Sequence, residues 1–294
     1  MRHKLFGKEV EIKKFGCNQF DTLGHEILPS VNIYVKVTNG CNAKCLFCSN
    51  ANAEKRGGEF DLSKLMEVVR EVQRQDILVN RINITGGEPS VVPNLVERIL
   101  DECSSDEFID IHLHLNTNGL LSQSQELMRH KRWDSISVSL HHYNIDRLSE
   151  LYNTPIPLTA LAFEGVNRDI VNLSCNLIRG YIDCAREAHK MLDFVLDLGI
   201  PRLGFVALMK VNDYCTRHYV DFDEIELETI PHVYFTNSLD RGADCKCSNY
   251  LYNRELKILE IYTRNYMNPT YCESSLVFDG EYLRQGFHEH NIIY

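Results

Sequence analysis

Between residues 31 and 209, short apolar runs of period two, or continuous ones, alternate with runs of period 3.6. The segments VNIYVKV (31–37), RINIT (81–85), DIHLHL (110–115), SISVSL (135–140), DIVNLSCNLI (169–178) and RLGFVALM (202–209) predict strands. Between the first two, DLSKLMEVVREVQRQ sets Leu62, Leu65, Met66, Val69 and Val72 on one helical stripe. YIDCAREAHKMLDFVLDLG predicts a long amphipathic helix closed by Gly199. Alternation of this kind implies right-handed βαβ crossovers and a parallel sheet, either curved into a barrel or open and doubly wound. After Met209 the rhythm stops. Acidic DFDEIELE, the aromatic-rich YLYNRELKILEIYTRNYMNPTY and a hairpin-like SLVFDGEYLRQGF mark a smaller, irregular region. The expected division is an N-terminal extension (1–30), a core (31–210) and a C-terminal region (211–294), with no internal repeat or flexible linker.

Composition narrows the setting. The 294 residues are 44% hydrophobic and 24% charged, enough for a full core, and the net charge is −10. An acidic chain without a Lys/Arg block offers no footprint for long nucleic acid or an anionic membrane. No apolar run approaches the roughly 18 residues of a membrane span, and MRHKLFGKEVEIKKF lacks a signal peptide's apolar segment, so a cytoplasmic protein is expected. Eleven cysteines in a reducing compartment read as metal ligands where clustered and as core residues where scattered. Cys17, Cys103, Cys175 and Cys184 belong to the second kind.

The cluster is VTNGCNAKCLFCSN, directly after the first predicted strand, with Cys41, Cys45 and Cys48 among polar, turn-forming neighbours. Three thiolates suit a soft metal or an iron–sulfur cluster with one iron left open. Structural zinc normally takes four ligands, and no fourth stands nearby. The second strand ends in ITGGEPS, with Gly86, Gly87, Glu88 and Pro89. Alone, TGGEP reads as a tight turn. Together the two motifs resemble the CxxxCxxC and GGEP signatures of the radical S-adenosylmethionine (SAM) superfamily, and the resemblance covers about residues 31–210.

The resemblance implies a partial (β/α)6 TIM-like barrel whose three cysteines hold a [4Fe–4S] cluster. SAM would chelate the open iron and be cleaved to a 5′-deoxyadenosyl radical that abstracts hydrogen from a small-molecule or peptide substrate. An electron donor such as flavodoxin or ferredoxin would act as partner. By the same resemblance the glycine pair admits close backbone approach to the ligand and Glu88 meets the SAM ammonium. Phe47 would lie beside adenine, Asn118 in NTNG near the methionyl part, and Ser137 and Ser139 of the fourth strand near methionyl and ribose. Asn176 and the apolar GFVALM, including Ala207, would contact ribose and adenine. Each of these has an ordinary local role as its alternative. No acid–base triad is required, so no catalytic side chain is assigned. His112 and His114 share a strand face, and His141 and His142, at the end of the fourth strand, are placed to reach substrate.

The remaining thiols, Cys215, Cys245, Cys247 and Cys272, lie beyond the barrel. CESSLVFDGEYLRQGF resembles the hairpin of Twitch and SPASM extensions, which implies a second [4Fe–4S] cluster, although neither spacing is matched. Zinc or unligated thiols are the alternatives. The chain ends EHNIIY without the diglycine of the molybdenum-cofactor cyclase subgroup, so a nucleoside triphosphate is not the expected substrate. The competing function is a non-catalytic zinc- or iron-binding structural or redox-sensing protein. Glu88 separates the two readings, because a purely structural metal site has no use for that carboxylate.

Overall fold

The computed structural model describes residues 2–12, 29–50, 60–157, 161–239, 246–265, 274–287 and 291–294. A two-stranded hairpin, β1 (Arg2–Leu5) and β2 (Lys8–Glu11), comes first. The core follows as β3 (Ser30–Lys36), α1 (Leu62–Arg74), β4 (Leu78–Thr85), α2 (Pro93–Glu102), β5 (His112–Thr117), α3 (Ser122–Met128), β6 (Ser135–Ser139), α4 (Ile145–Tyr152), β7 (Val171–Leu177), α5 (Ala185–Asp197) and β8 (Arg202–Ala207). After it run α6 (Asp213–Arg217), α7 (Phe222–Ile225), β9 (Val233–Ser238), β10 (Ser248–Arg254), β11 (Lys257–Arg264), β12 (Ser275–Phe278) and β13 (Leu283–Gln285).

Helix α1 starts where Asp61 accepts the Lys64 N–H at 2.9 Å, and it buries the expected stripe together with Val68. Helix α5 begins at Ala185, four residues later than its apolar pattern suggested, and Cys184 is its N-cap residue rather than part of its face. Gly199, at φ 68°, ends the run.

Strands β3 to β8 pair in parallel and in chain order, which gives the six strands of the partial barrel. Along β3, Val31, Ile33 and Val35 are buried in the same core as the α1 stripe, while Asn32, Tyr34 and Lys36 alternate with them. The hairpin expected near residue 279 is β12–β13, and it lies beside β3 with β12 parallel to it. At the other edge β11 runs parallel to β8, followed by β10 and β9. The chain after Lys210 therefore rejoins the barrel sheet at both edges, which brings the sheet to eleven strands among the described residues. Tyr262 of β11 reaches inward: a Cβ at Gly204 would stand 2.1 Å from its ring, so only glycine leaves it room. Among the described residues no helix is long and apolar enough to cross a membrane.

Candidate active site

The loop after β3 carries Cys41 (exposed) and Cys45 and Cys48 (partly buried), all three free thiols. Its shape is held by three bonds from its backbone N–H groups. The Cys48 N–H donates to the Cys45 carbonyl (3.2 Å), the Ala43 N–H to the Cys41 sulfur (3.4 Å), and the Lys44 N–H to the Tyr152 carbonyl at the end of α4 (2.9 Å). Burial, with the charges of Cys48 and Cys41 adding to it, pushes the Cys45 thiol up to about 12. Burial also raises Cys41, opposed by the Ala43 N–H and reinforced by Glu88 and Cys48. Three thiolates on this loop repel one another, so the deprotonated set needs a cationic centre. Among the described residues no three His, Cys, Asp or Glu side chains are grouped tightly enough to hold a single metal ion.

The loop after β4 lies directly on the cysteine loop. The Gly87 N–H donates to the Thr38 carbonyl (2.7 Å) and the Glu88 N–H to the Gly40 carbonyl (2.8 Å). A Cβ at Gly86 would stand 2.3 Å from the Thr38 oxygen, and one at Gly87 2.1 Å from the Gly40 oxygen. The sequence assigned the glycine pair to approach of a ligand. In the structure its work is approach of backbone to backbone, and at Gly86 a φ of 141° adds a second reason for glycine.

Glu88 is 1% exposed, and Pro89 behind it opens a short 3₁₀ turn, Pro89–Val91. Its Oε1 accepts from the Ser90 N–H (3.1 Å), the Ser90 hydroxyl (2.7 Å) and the Thr117 hydroxyl (2.6 Å), and its Oε2 accepts from the Asn118 N–H (2.7 Å). The Ser124 hydroxyl supports Ser90 in turn (2.7 Å). All these donors are neutral. A carboxylate has about four lone-pair sites, two per oxygen, so Oε2 retains room for one more donor. Asn118 also sends its amide to Asn42 Oδ1 (2.8 Å), and Asn50 sends its own to the Gly86 carbonyl (2.8 Å). The ends of β3, β4 and β5 are thus stitched into one rigid rim. The sequence reading missed Ser90 and Thr117; the serine of GGEPS and the threonine of NTNG were the available signals.

Further round the barrel, the Ser137 and Tyr262 hydroxyls both donate to Asn172 Oδ1, at 2.8 and 2.7 Å. Ser137 is therefore engaged within the barrel, and Ser139 contributes its carbonyl to the Tyr152 hydroxyl (2.7 Å). His141 is buried, accepts the Asn176 N–H at Nδ1 (3.1 Å), and meets the Phe47 ring edge to face, centroids 4.8 Å apart. Burial pushes it down to about 3, so it is a neutral packing group that joins Phe47 of the cysteine loop to Asn176 of β7. Ala207 is buried at the end of β8. His142 faces elsewhere, onto an open cleft of about 390 Å³ lined by Tyr143, Arg147, Tyr181 and Glu187 among others.

A family model described as the Radical SAM superfamily matches residues 35–204. The chain belongs to that superfamily. Among curated relatives, the "Probable GTP 3′,8-cyclase" of Methanocella arvoryzae is 25% identical over 170 residues, 51% of this chain and 53% of that one. The GTP 3′,8-cyclase of Desulforamulus reducens is 27% identical over 210 residues, 71% of this chain and 55% of that one. The chain thus spans little more than half the length of these relatives. Among solved structures, Streptococcus suis SuiB bound to S-adenosylmethionine superposes with a TM-score of 0.52 at 19% identity, over 66% of this chain and 44% of that one. That likeness is one of fold.

Membership of the radical SAM superfamily implies a [4Fe–4S] cluster and SAM. The residues present fit both groups: three free thiols on one loop, whose thiolate forms repel one another, and a buried carboxylate beside them with an acceptor site to spare. Two of the four C-terminal thiols lie among the described residues. Cys215 is buried on α6 against Phe47, Leu151, Ile178 and Leu208, with its sulfur 3.7 Å from the Phe47 carbonyl. Cys247 precedes β10 and its sulfur accepts the Asn265 N–H at 3.2 Å. Cys245 and Cys272 lie outside the described residues.

Proposed function

We propose that Cys41, Cys45 and Cys48 hold the [4Fe–4S] cluster, and that Glu88 and the rim around it seat SAM above the barrel of a cytoplasmic enzyme fed by a flavodoxin- or ferredoxin-type donor. When bound, cluster and SAM supply the 5′-deoxyadenosyl radical that takes hydrogen from a substrate C–H. The chain's own residues orient and exclude. Glu88 Oε2 accepts from the SAM ammonium. Asn118 sets the height of the cysteine loop, and Phe47, braced by His141, lies beside the adenine with Asn176, Ala207, Ser137 and Ser139 around the nucleoside. The observation that carries this reading is Glu88: a buried carboxylate held by four donors beside the three thiols has no purpose in a structural metal site. Anaerobic reconstitution followed by dithionite should give 5′-deoxyadenosine; a reconstituted four-iron protein that leaves SAM intact would return the chain to the non-catalytic reading.

Glu88→Gln tests the carboxylate separately. Whichever way the amide turns, its NH₂ meets a donor, from Ser90 and Thr117 or from Asn118, and the charged partner of the SAM ammonium is gone. A hydrogen bond to a charged group contributes about 1.5–3 kcal/mol, so SAM affinity should fall roughly 10- to 100-fold while iron content is unchanged. Equilibrium dialysis with labelled SAM reads this, and a wild-type affinity would leave Glu88 as a turn residue only.

We further propose that region 211–294, packed against the core 31–210, carries a second cluster through Cys245, Cys247 and Cys272. Cys215 is the ligand to doubt, because its sulfur is turned toward Phe47. Reconstituted protein should hold about eight irons, and Cys245→Ala with Cys247→Ala should lose half of them. An unchanged count in that double variant, or four irons with one zinc in the wild type, refutes the second cluster. Cys215→Ala should keep about eight.

A further inference from the structure

Among the described residues, the concave face of the barrel carries two guanidiniums without an ion pair, although Glu260 of β11 stands in register with Arg202. Along β4 the buried Ile82 and Ile84 face the helices, so Arg81 and Asn83 face the interior. Arg81 stands in register with Asn32 and His112, and Asn83 with Tyr34 and His114. Arg202 begins β8 on the opposite side. Among the described residues neither Arg81 nor Arg202 has an ion pair, and the only hydrogen bond of either guanidinium runs from Arg202 to the Asp169 carbonyl. Three buried donors, Arg81 Nε, Arg202 Nε and Asn83 Nδ2, have no acceptor, although Asn83 is only 3% exposed. Acids are not scarce in a chain with 41 of them against 31 Lys and Arg. Uncompensated guanidiniums and orphaned donors in a protein interior are costly, and they persist where something else completes them.

The neighbours show that these groups share one space. Burial and then the charge of Arg81 push His114 down to about 3, with His112 and Arg202 adding to it, and both arginines also act on Tyr262. His112 Nε2 and His114 Nδ1 lie 2.7 and 2.6 Å from the same Ser135 hydroxyl, which donates to one neutral imidazole and accepts from the other. Neither histidine adds charge. Arg81 lies four residues before Thr85, hence roughly 13 Å along the strand from the rim that seats SAM.

We propose that Arg81, Arg202 and Asn83 form an oxyanion site at the amino-terminal end of the barrel, and that the substrate is an anionic small molecule rather than a peptide. Its phosphate or carboxylate rests on this floor and its reacting C–H points to the mouth. Two guanidiniums suit a dianion, each offering parallel N–H groups to two oxygens, and Asn83 Nδ2 supplies a further donor. The site rests on the proposed function only for the direction in which the substrate lies. SAM cleavage by the wild type is scored on its own, so its failure would leave the anion result readable.

The test is titration of the reconstituted protein with inorganic phosphate, pyrophosphate and malonate, followed by calorimetry and thermal unfolding. At least one should bind and raise the unfolding temperature, as a ligand of the folded state must, and the order of phosphate and malonate tells which group the floor accepts. Arg81→Gln and Arg202→Gln should each weaken that binding at least about tenfold, the equivalent of one charge-assisted hydrogen bond. Lys131→Gln, at the exposed surface, should leave it unchanged. Arg81→Met gives a readout that a structural arginine would not: without anion, removal of an unpaired charge should hold or raise the unfolding temperature. Absence of binding by all three anions, retained binding in both Gln variants, or a marked loss of stability in Arg81→Met would each overturn the site.

Discussion

Replacing any one of Cys41, Cys45 or Cys48 by Ala should reduce dithionite-dependent 5′-deoxyadenosine to background while the protein stays folded. The fold should survive because Cys41 is exposed, Cys45 and Cys48 are only partly buried, and Ala keeps the backbone bonds from Cys48 N–H to Cys45 and from Lys44 N–H to Tyr152, losing only the Ala43 N–H bond to the Cys41 sulfur in Cys41→Ala. Activity should not survive, because a cubane left with two protein thiolates loses the ligand set that keeps one iron open for SAM. Cys215 is the obvious candidate to substitute for a lost ligand, yet its sulfur is sealed among Phe47, Leu151, Ile178 and Leu208 and turned toward the Phe47 carbonyl. Iron analysis, chromatography of the SAM products and a melting curve decide the matter together. A variant that cleaves SAM at the wild-type rate would remove the three-cysteine cluster from the mechanism.

The barrel was legible because its strands are buried on the helix side and alternate cleanly: Val31, Ile33 and Val35 in β3, and Leu173, Cys175 and Leu177 in β7. The same rule failed at β11. KILEIYTR alternates less cleanly, and nothing local tells that it runs parallel to β8 with Tyr262 over Gly204, since that register is set by a partner far away in the chain. The first hairpin was missed for a different reason. Its turn is Phe6–Gly7, both at positive φ, and phenylalanine is not a residue that announces a tight turn. At the site, the thiols and Glu88 were legible from spacing. The donors that fix Glu88 were not, because Thr117 and Asn118 meet it only once β4 and β5 lie side by side. The interior arginines were visible only as polar residues on strands; that they lack acidic partners is a property of the assembled barrel.

Gly87→Ala should be nearly as damaging as loss of a cysteine, though it removes no ligand. The new methyl would sit 2.1 Å from the Gly40 oxygen and 2.6 Å from its carbonyl carbon, both backbone atoms with no rotamer in which to retreat. Either the loop after β4 or the segment Thr38–Gly40 must move, and the bonds from Gly87 N–H to Thr38 and from Glu88 N–H to Gly40 break with it. Cys41 is the next residue, so the displacement reaches the first cluster ligand directly, and Glu88 is lifted from Thr117 and Asn118. The cost in global stability should stay near the 1–3 kcal/mol of a local overpacking, because the βα core does not pass through this contact. Reconstituted iron and 5′-deoxyadenosine yield should both fall steeply, the latter at least about 100-fold, as expected when reacting groups are misplaced by an ångström. This pattern differs from that of Glu88→Gln, which should keep its iron and lose SAM affinity. If Gly87→Ala keeps both iron and turnover, the two loops are not the rigid pair their backbone bonds describe, and the placement of Glu88 beside the cluster cannot depend on them.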